Sequence, residues 1–151
     1  MSINIVLYQP EIAGNTGNIA RLSAATECRL HLVRPLGFSL SDRYLKRAGL
    51  DYWPHVKLTL HDCMEDVYSE LPDSRFFYFS TKVSRPYTQV NYQDGDALVF
   101  GPETRGLPEE ILKANPDFSL TIPMFGEVRS LNLSTCAGIA VYEVLRQVRG
   151  F

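Results

Sequence analysis

Three stretches of this sequence gather residue types able to hold an anion or a flat polar ligand. The first runs Pro10-Glu11-Ile12-Ala13-Gly14-Asn15-Thr16-Gly17-Asn18-Ile19-Ala20-Arg21. It follows an apolar run and opens a helical pattern, so unpaired N–H groups at the helix start are available to an anion. Arg21, further along, is within reach of a phosphate beside that start. The same residues also fit a plainer account, with Asn15 capping the helix and Arg21 in solvent. The spacing is not GxGxxG, so a dinucleotide site gains little support. The second stretch is Val99-Phe100-Gly101-Pro102-Glu103-Thr104-Arg105-Gly106-Leu107-Pro108. Gly101, closing an apolar strand, lets a ligand approach the backbone closely. The third is Ile122-Pro123-Met124, then Arg129-Ser130-Leu131-Asn132-Leu133-Ser134 entering a helix. Singly, each is a turn with a cap.

Charge narrows the choice of ligand. The net charge is −2 and the pI about 5.9, which argues against indiscriminate coating of nucleic acid. Local basic groups remain: Arg43, Lys46 and Arg47 fall at i, i+3, i+4, and Arg21, Lys82, Arg85, Arg105 and Arg129 stand in or near loops. A solvated helix face is the plain alternative for the first group. The three cysteines, Cys28, Cys63 and Cys136, are far apart and among apolar neighbours, as expected of buried reduced thiols. His31, His55 and His61 show no metal-ligand spacing, and no metal is expected.

These loops need a scaffold, and the hydrophobic pattern supplies one. Apolar runs predict strands over 3–8, 30–33, 56–60, 75–80, 97–101 and 119–122. Helices are predicted over 16–26, from Ser41 or Asp42 to Gly49, and after an Asp62/Glu65 capping box with Met64, Val67, Tyr68 and Leu71 as its stripe. Another starts at Pro108 and ends before Pro116. The last carries Leu133, Cys136, Ala137, Ala140, Val141, Val144, Leu145 and Val148 on one face, with Asn132 as N-cap. Continuous apolar strands alternating with helices indicate an α/β fold with a parallel sheet covered on both faces, whose ligands collect beyond the strand C-termini. At 151 residues one domain, 1–151, is expected, burying roughly 70% of its unfolded surface. No apolar run approaches the ~20 residues of a membrane span, and Ile3–Tyr8 lacks the flanks of a signal peptide. A cytoplasmic location without membrane contact follows as the expectation.

In this order and spacing, the three stretches closely resemble the motifs of SPOUT RNA 2′-O-methyltransferases, and most closely the branch acting on the wobble nucleotide of tRNA. The likeness covers nearly the whole chain, including Asp51-Tyr52 and Tyr92-Gln93-Asp94-Gly95-Asp96. It departs at Ala13 and Gly14, where many relatives carry prolines, and in the variable loop 125–128. The resemblance implies a C-terminal trefoil knot, which no periodicity argument finds. It implies S-adenosylmethionine as cofactor, bound by Phe79, Gly101, Ile122, Ser130 and Leu131, and Arg21 as the catalytic residue of a homodimer. Apolar walls and backbone hydrogen bonds suit an adenine. Methyl transfer to the ribose 2′-OH of a cytidine or modified uridine, in leucine-type tRNA anticodons, is the implied reaction. Tyr142 matches a position near the active site. Arg43, Lys46, Arg47, Lys82 and Arg129 are the candidate tRNA contacts. The alternatives are another tRNA or rRNA ribose as substrate, a non-catalytic RNA-binding module, and a nucleotide-dependent oxidoreductase. The missing GxGxxG opposes the last, and the missing stacked-aromatic RNA signature opposes the module.

Overall fold

The computed structural model describes residues 2–43, 45, 47 and 50–151. Six parallel strands, β1 (Asn4–Tyr8), β2 (Arg29–Val33), β3 (Lys57–His61), β4 (Phe76–Phe79), β5 (Ala97–Phe100) and β6 (Ser119–Leu120), lie in the order β3-β2-β1-β5-β4-β6. Helices pack against them, among the described residues α1 (Ala13–Thr26), α2 (Met64–Glu70), α3 (Glu109–Ala114) and α4 (Leu133–Arg149). The strands match the predicted ones to within two residues at each end.

Alternation within the strands builds two cores. Ile5 and Leu7 of β1, Leu30 and Leu32 of β2, and Leu98 and Phe100 of β5 face one side, covered by Ile19 and Ala20 of α1 and by Ala137, Ala140, Val141 and Val144 of α4. Val6, Val33, Tyr78 and Val99 face the other, beneath Met64 and Val67 of α2 and Leu112 of α3. With both faces buried, every strand residue must be apolar or satisfied, which is why the strands read as unbroken hydrophobic runs. Burying one such Leu, Ile or Val stabilises by about 1.5–3 kcal/mol over leaving it exposed.

Polar groups fix the ends of the sheet. Asp96, 2% exposed, accepts two hydrogen bonds from the Arg75 guanidinium, at 3.0 and 2.7 Å, and one from the Gln93 N–H at 2.7 Å. That pairing raises the Arg75 pKa further. Gln147 of α4 accepts from the Tyr92 N–H and donates to the Val90 carbonyl, tying the last helix to the segment before β5. Burial, with His61 and Arg29 alongside, holds the His31 pKa down to about 4.

Two local expectations change, at the starts of α1 and α2. The first helix begins at Ala13, so Asn15 lies inside its first turn, and its N-cap Ile12 offers no side-chain cap. The capping box at Asp62 is absent: Cys63 is the N-cap of α2 and makes no side-chain cap bond. Arg43 and Arg47 have helical backbone and exposed side chains around buried Leu45, whereas Lys46 and Gly49 lie outside the described residues. Asn132 caps α4 as predicted, its Oδ1 accepting from the Ser134 and Thr135 N–H groups.

Candidate active site

The loops that leave β4, β5 and β6, together with the start of α4, enclose a cleft of about 640 Å³. The cleft thus sits at the strand C-termini, where the parallel sheet predicts it. Phe79, Phe100, Ile122, Leu131 and Leu133 give it apolar walls. Phe79 and Phe100 stack at 4.8 Å between ring centroids, so the inner wall is aromatic and rigid. Ser80, Thr81, Ser130 and Asn132 add polar groups, and Lys82, Arg105 and Arg129 add positive charge. Such a cavity has the size and mixed lining of a small-molecule site.

The structure brings Phe79, Gly101, Ile122, Ser130 and Leu131 together around this cleft, with Lys82 and Arg129 beside them. Arg21 is elsewhere. Its guanidinium lies 4.7 Å from the ring centroid of Tyr52, on the exposed side of α1. Arg21 comes six positions after Asn15, which does line the cleft, and six helical steps rise about 9 Å. Arg43 and Arg47 do not line the cleft either, and Tyr142 stands on the outside of α4, 49% exposed.

Gly101 is needed for a reason other than ligand approach. A Cβ there would sit 2.3 Å from the Leu107 nitrogen and 2.5 Å from the Gly106 carbonyl carbon. Any side chain would push away the backbone of its own loop, which folds back over the strand end.

What ties the three stretches together is a set of hydrogen bonds among residues that sequence reasoning had not placed in the site. The Glu103 carboxylate accepts from the Glu11 and Ile12 N–H groups at 2.8 and 2.9 Å and from Asn15 Nδ2 at 3.3 Å. It supplies the cap that Ile12 lacks, and an anion at a helix N-terminus also meets the positive end of the helix dipole. In return, the Glu11 carboxylate accepts from the Thr104 N–H at 2.8 Å and its hydroxyl at 2.7 Å. These bonds, with Arg105 nearby, hold the Glu11 carboxyl below its ordinary pKa. Asn15 Oδ1 then accepts from Asn132 Nδ2 at 3.1 Å, while Asn132 caps α4. One chain of bonds thus runs from the β5 loop through the start of α1 to the start of α4. Glu11 and Glu103 carry a weak sequence signal: two carboxylates in otherwise small-residue loops, 92 residues apart, with nothing local to show that each bonds to the other's loop.

The sheet and cleft define the class. The fold superposes on the SpoU methyltransferase AviRb from Streptomyces viridochromogenes, a structure in complex with AdoMet, with TM-score 0.84 and 19% identity, covering 97% of this chain and 60% of that one. At that identity the likeness speaks for the fold alone. The chain itself belongs to the SpoU rRNA Methylase family, whose model matches residues 2–142. It is 52% identical over 145 residues to a tRNA (cytidine(34)-2′-O)-methyltransferase of Methylovorus glucosotrophus, covering 95% of this chain and 94% of the relative. It is also 52% identical, with TM-score 0.93, to a protein whose structure addresses "2-OH methylation of C/U34 on tRNA", covering 99% and 98% of the two chains. Among the described residues, no helix is long and apolar enough to cross a membrane.

Proposed function

We propose that this protein is a cytoplasmic tRNA 2′-O-methyltransferase that carries a methyl group from S-adenosylmethionine to the ribose 2′-OH of nucleotide 34. The observation that carries the proposal is the convergence of Phe79, Gly101, Ile122, Ser130 and Leu131 on one cleft at the strand C-termini. Full-length identity near half to relatives named for that reaction supports the substrate. Leucine-type anticodons are the narrowest part of the reading. Residues 1–151 act as one SPOUT methyltransferase domain, with the C-terminal segment threaded as a trefoil knot.

The cleft's lining fits the cofactor. Aromatic and aliphatic walls suit the adenine face, and the Ser130–Asn132 segment offers polar groups to the amino-acid end. Held by Phe79, Gly101, Ile122, Ser130 and Leu131, S-adenosylmethionine would supply an electrophilic sulfonium methyl group for the ribose 2′-oxygen. The chain's task is to bind, exclude water and hold the ribose in line, and positioning of this kind supplies much of the rate. Lys82 and Arg129, at the cleft, and Arg43, Lys46 and Arg47 hold tRNA phosphates.

Arg21 works in this scheme from a second copy of the chain. It points away from its own cleft, and Tyr142, 49% exposed, stands on the outer side of α4, one of the two helices through which a homodimer forms. A guanidinium stays protonated, so its role is to orient the phosphate and stabilise negative charge growing on the 2′-oxygen. Separate calorimetric titrations with S-adenosylmethionine and NAD test the cofactor. Nucleoside mass spectrometry of tRNA incubated with enzyme and S-adenosylmethionine tests the product. Binding of NAD alone, or no 2′-O-methylated nucleoside, overturns the proposal.

A further inference from the structure

Away from the cleft, two buried imidazoles and a carboxylate meet under α2. His31 of β2 is 1% exposed and His61 of β3 is 4% exposed. His31 Nδ1 lies 3.0 Å from His61 Nε2, and His61 Nε2 lies 3.5 Å from Glu70 Oε2, at the end of α2. The three candidate ligand atoms are within 4.8 Å of one another, and none of these residues lines the cleft.

The hydrogen-bond pattern fixes which lone pairs face inward. Asn4 Nδ2 donates to the carbonyls of Ser2 and Gly95, so Asn4 Oδ1 is the acceptor facing His31 Nε2 at 3.0 Å. His31 therefore carries its hydrogen on Nε2 and presents a bare Nδ1 to the centre. A carbonyl partner on the far nitrogen is the arrangement that orients a metal-bound histidine and raises its basicity.

We propose that His31 Nδ1, His61 Nε2 and Glu70 bind one divalent transition-metal ion of the Zn²⁺ type. Ligand atoms about 2.0–2.1 Å from a tetrahedral Zn²⁺ stand about 3.3 Å apart; the His31–His61 and His61–Glu70 separations of 3.0 and 3.5 Å bracket that value, and the His31–Glu70 pair lies within 4.8 Å, a gap that the half-exposed Glu70 side chain can close. Two imidazoles and a carboxylate suit Zn²⁺, Co²⁺ or Ni²⁺ and disfavour Mg²⁺ and Ca²⁺, which prefer all-oxygen shells. In the metal-free protein the hydrogen on His61 Nε2 bridges the two rings. On binding, His61 gives up that hydrogen and carries one on Nδ1 instead, so both rings stay neutral and no net proton is released. The Glu70 side chain is 42% exposed, giving the ion a path in and leaving room for water as fourth ligand. With ligands from β2, β3 and α2, the ion clamps the sheet edge to its covering helix and takes no part in methyl transfer.

The test uses the full chain, freed of metal with a chelator and titrated with ZnCl₂ by calorimetry and with CoCl₂ by visible absorption. One ion per chain, a tetrahedral Co²⁺ spectrum and a rise in melting temperature with Zn²⁺ are expected. Glu70→Gln, at a half-exposed site the fold tolerates, should weaken Zn²⁺ binding at least tenfold while leaving the metal-free melting temperature unchanged. His61→Gln should abolish it. A Kd weaker than about 0.1 mM, or binding unchanged in Glu70→Gln, overturns the proposal and leaves the pair as a hydrogen bond between neutral rings.

Discussion

Glu11 and Glu103 hold each other's loops: each carboxylate accepts hydrogen bonds from backbone N–H groups at or beside the other residue. The bonds cross 92 residues of sequence and set the start of α1 against the wall of the cleft. Gly37 packs on the same place, since a Cβ there would lie 2.5 Å from the Glu11 carbonyl oxygen.

Replacing Glu103 with Gln should remove the charged cap of α1 and destabilise the protein by about 1–3 kcal/mol. It should also weaken S-adenosylmethionine binding, because the Glu103 loop is part of the cleft. Urea unfolding and calorimetry on the same variant measure the two effects, and an unchanged midpoint would contradict the capping role.

The Glu11 carboxyl has a folded pKa below its ordinary value of 4.5, first through the Thr104 N–H. The stabilisation it gives is therefore complete above the unfolded value and fades as pH falls through the folded one. Glu11→Gln should make the acid side of the stability–pH curve shallower and leave its shape above pH 7 unaltered.

Gly101→Ala is expected to cost about 1–3 kcal/mol through displacement of the 101–107 loop. It should also lower cofactor affinity more than tenfold. Gly14→Ala adds its methyl to open space and should keep the affinity within about twofold. Equal affinities in the two variants would mean that the Gly101 loop does not shape the cofactor site.

A mixed dimer of one Arg21→Ala subunit and one Gly101→Val subunit, the second unable to bind cofactor, separates action within a chain from action across chains. Across chains, one complete site survives and about half the wild-type rate returns. Within a chain, both sites are broken and the mixed dimer stays inactive.

Neutralising Lys82 and Arg129, or Arg43 and Arg47, should weaken tRNA binding and flatten its salt dependence by about 0.7–0.9 in slope per lost phosphate contact. Cofactor affinity of the Arg43/Arg47 pair variant should be unaffected. A constant slope would return those arginines to a solvated surface.

The legible and the hidden parts of this molecule differ in range. Strands such as Ala97–Phe100 announce themselves because both faces are buried, and α4 because its apolar stripe repeats over four turns. The cap of α1 was illegible, since Glu103 arrives from another loop and Asn15, the natural local candidate, bonds sideways to Glu103 and Asn132. Gly101 was legible as a strand end beside a ligand loop, but the close packing of the Leu107 and Gly106 backbone on it was not. The His31–His61 pair escaped because adjacent parallel strands bring together residues 30 apart. Arg21 was legible as a residue, but its direction depends on how α1 is rolled against the sheet.

The register of β1 with β5, Asn4 opposite Ala97 and Leu7 opposite Phe100, has a consequence for biosynthesis. The partner on one side of β1, β2, is complete at residue 33, whereas the partner on the other, β5, is complete only once residue 100 has left the ribosome. At roughly 5–20 residues per second, that leaves an apolar strand edge open for about 3–13 seconds after β2 is made. Exposed edges of this kind recruit other chains. The nascent chain is thus most prone to aggregation between about one fifth and two thirds of the way through its own translation, and slow codons between β2 and β5 should lower soluble yield without touching the finished enzyme.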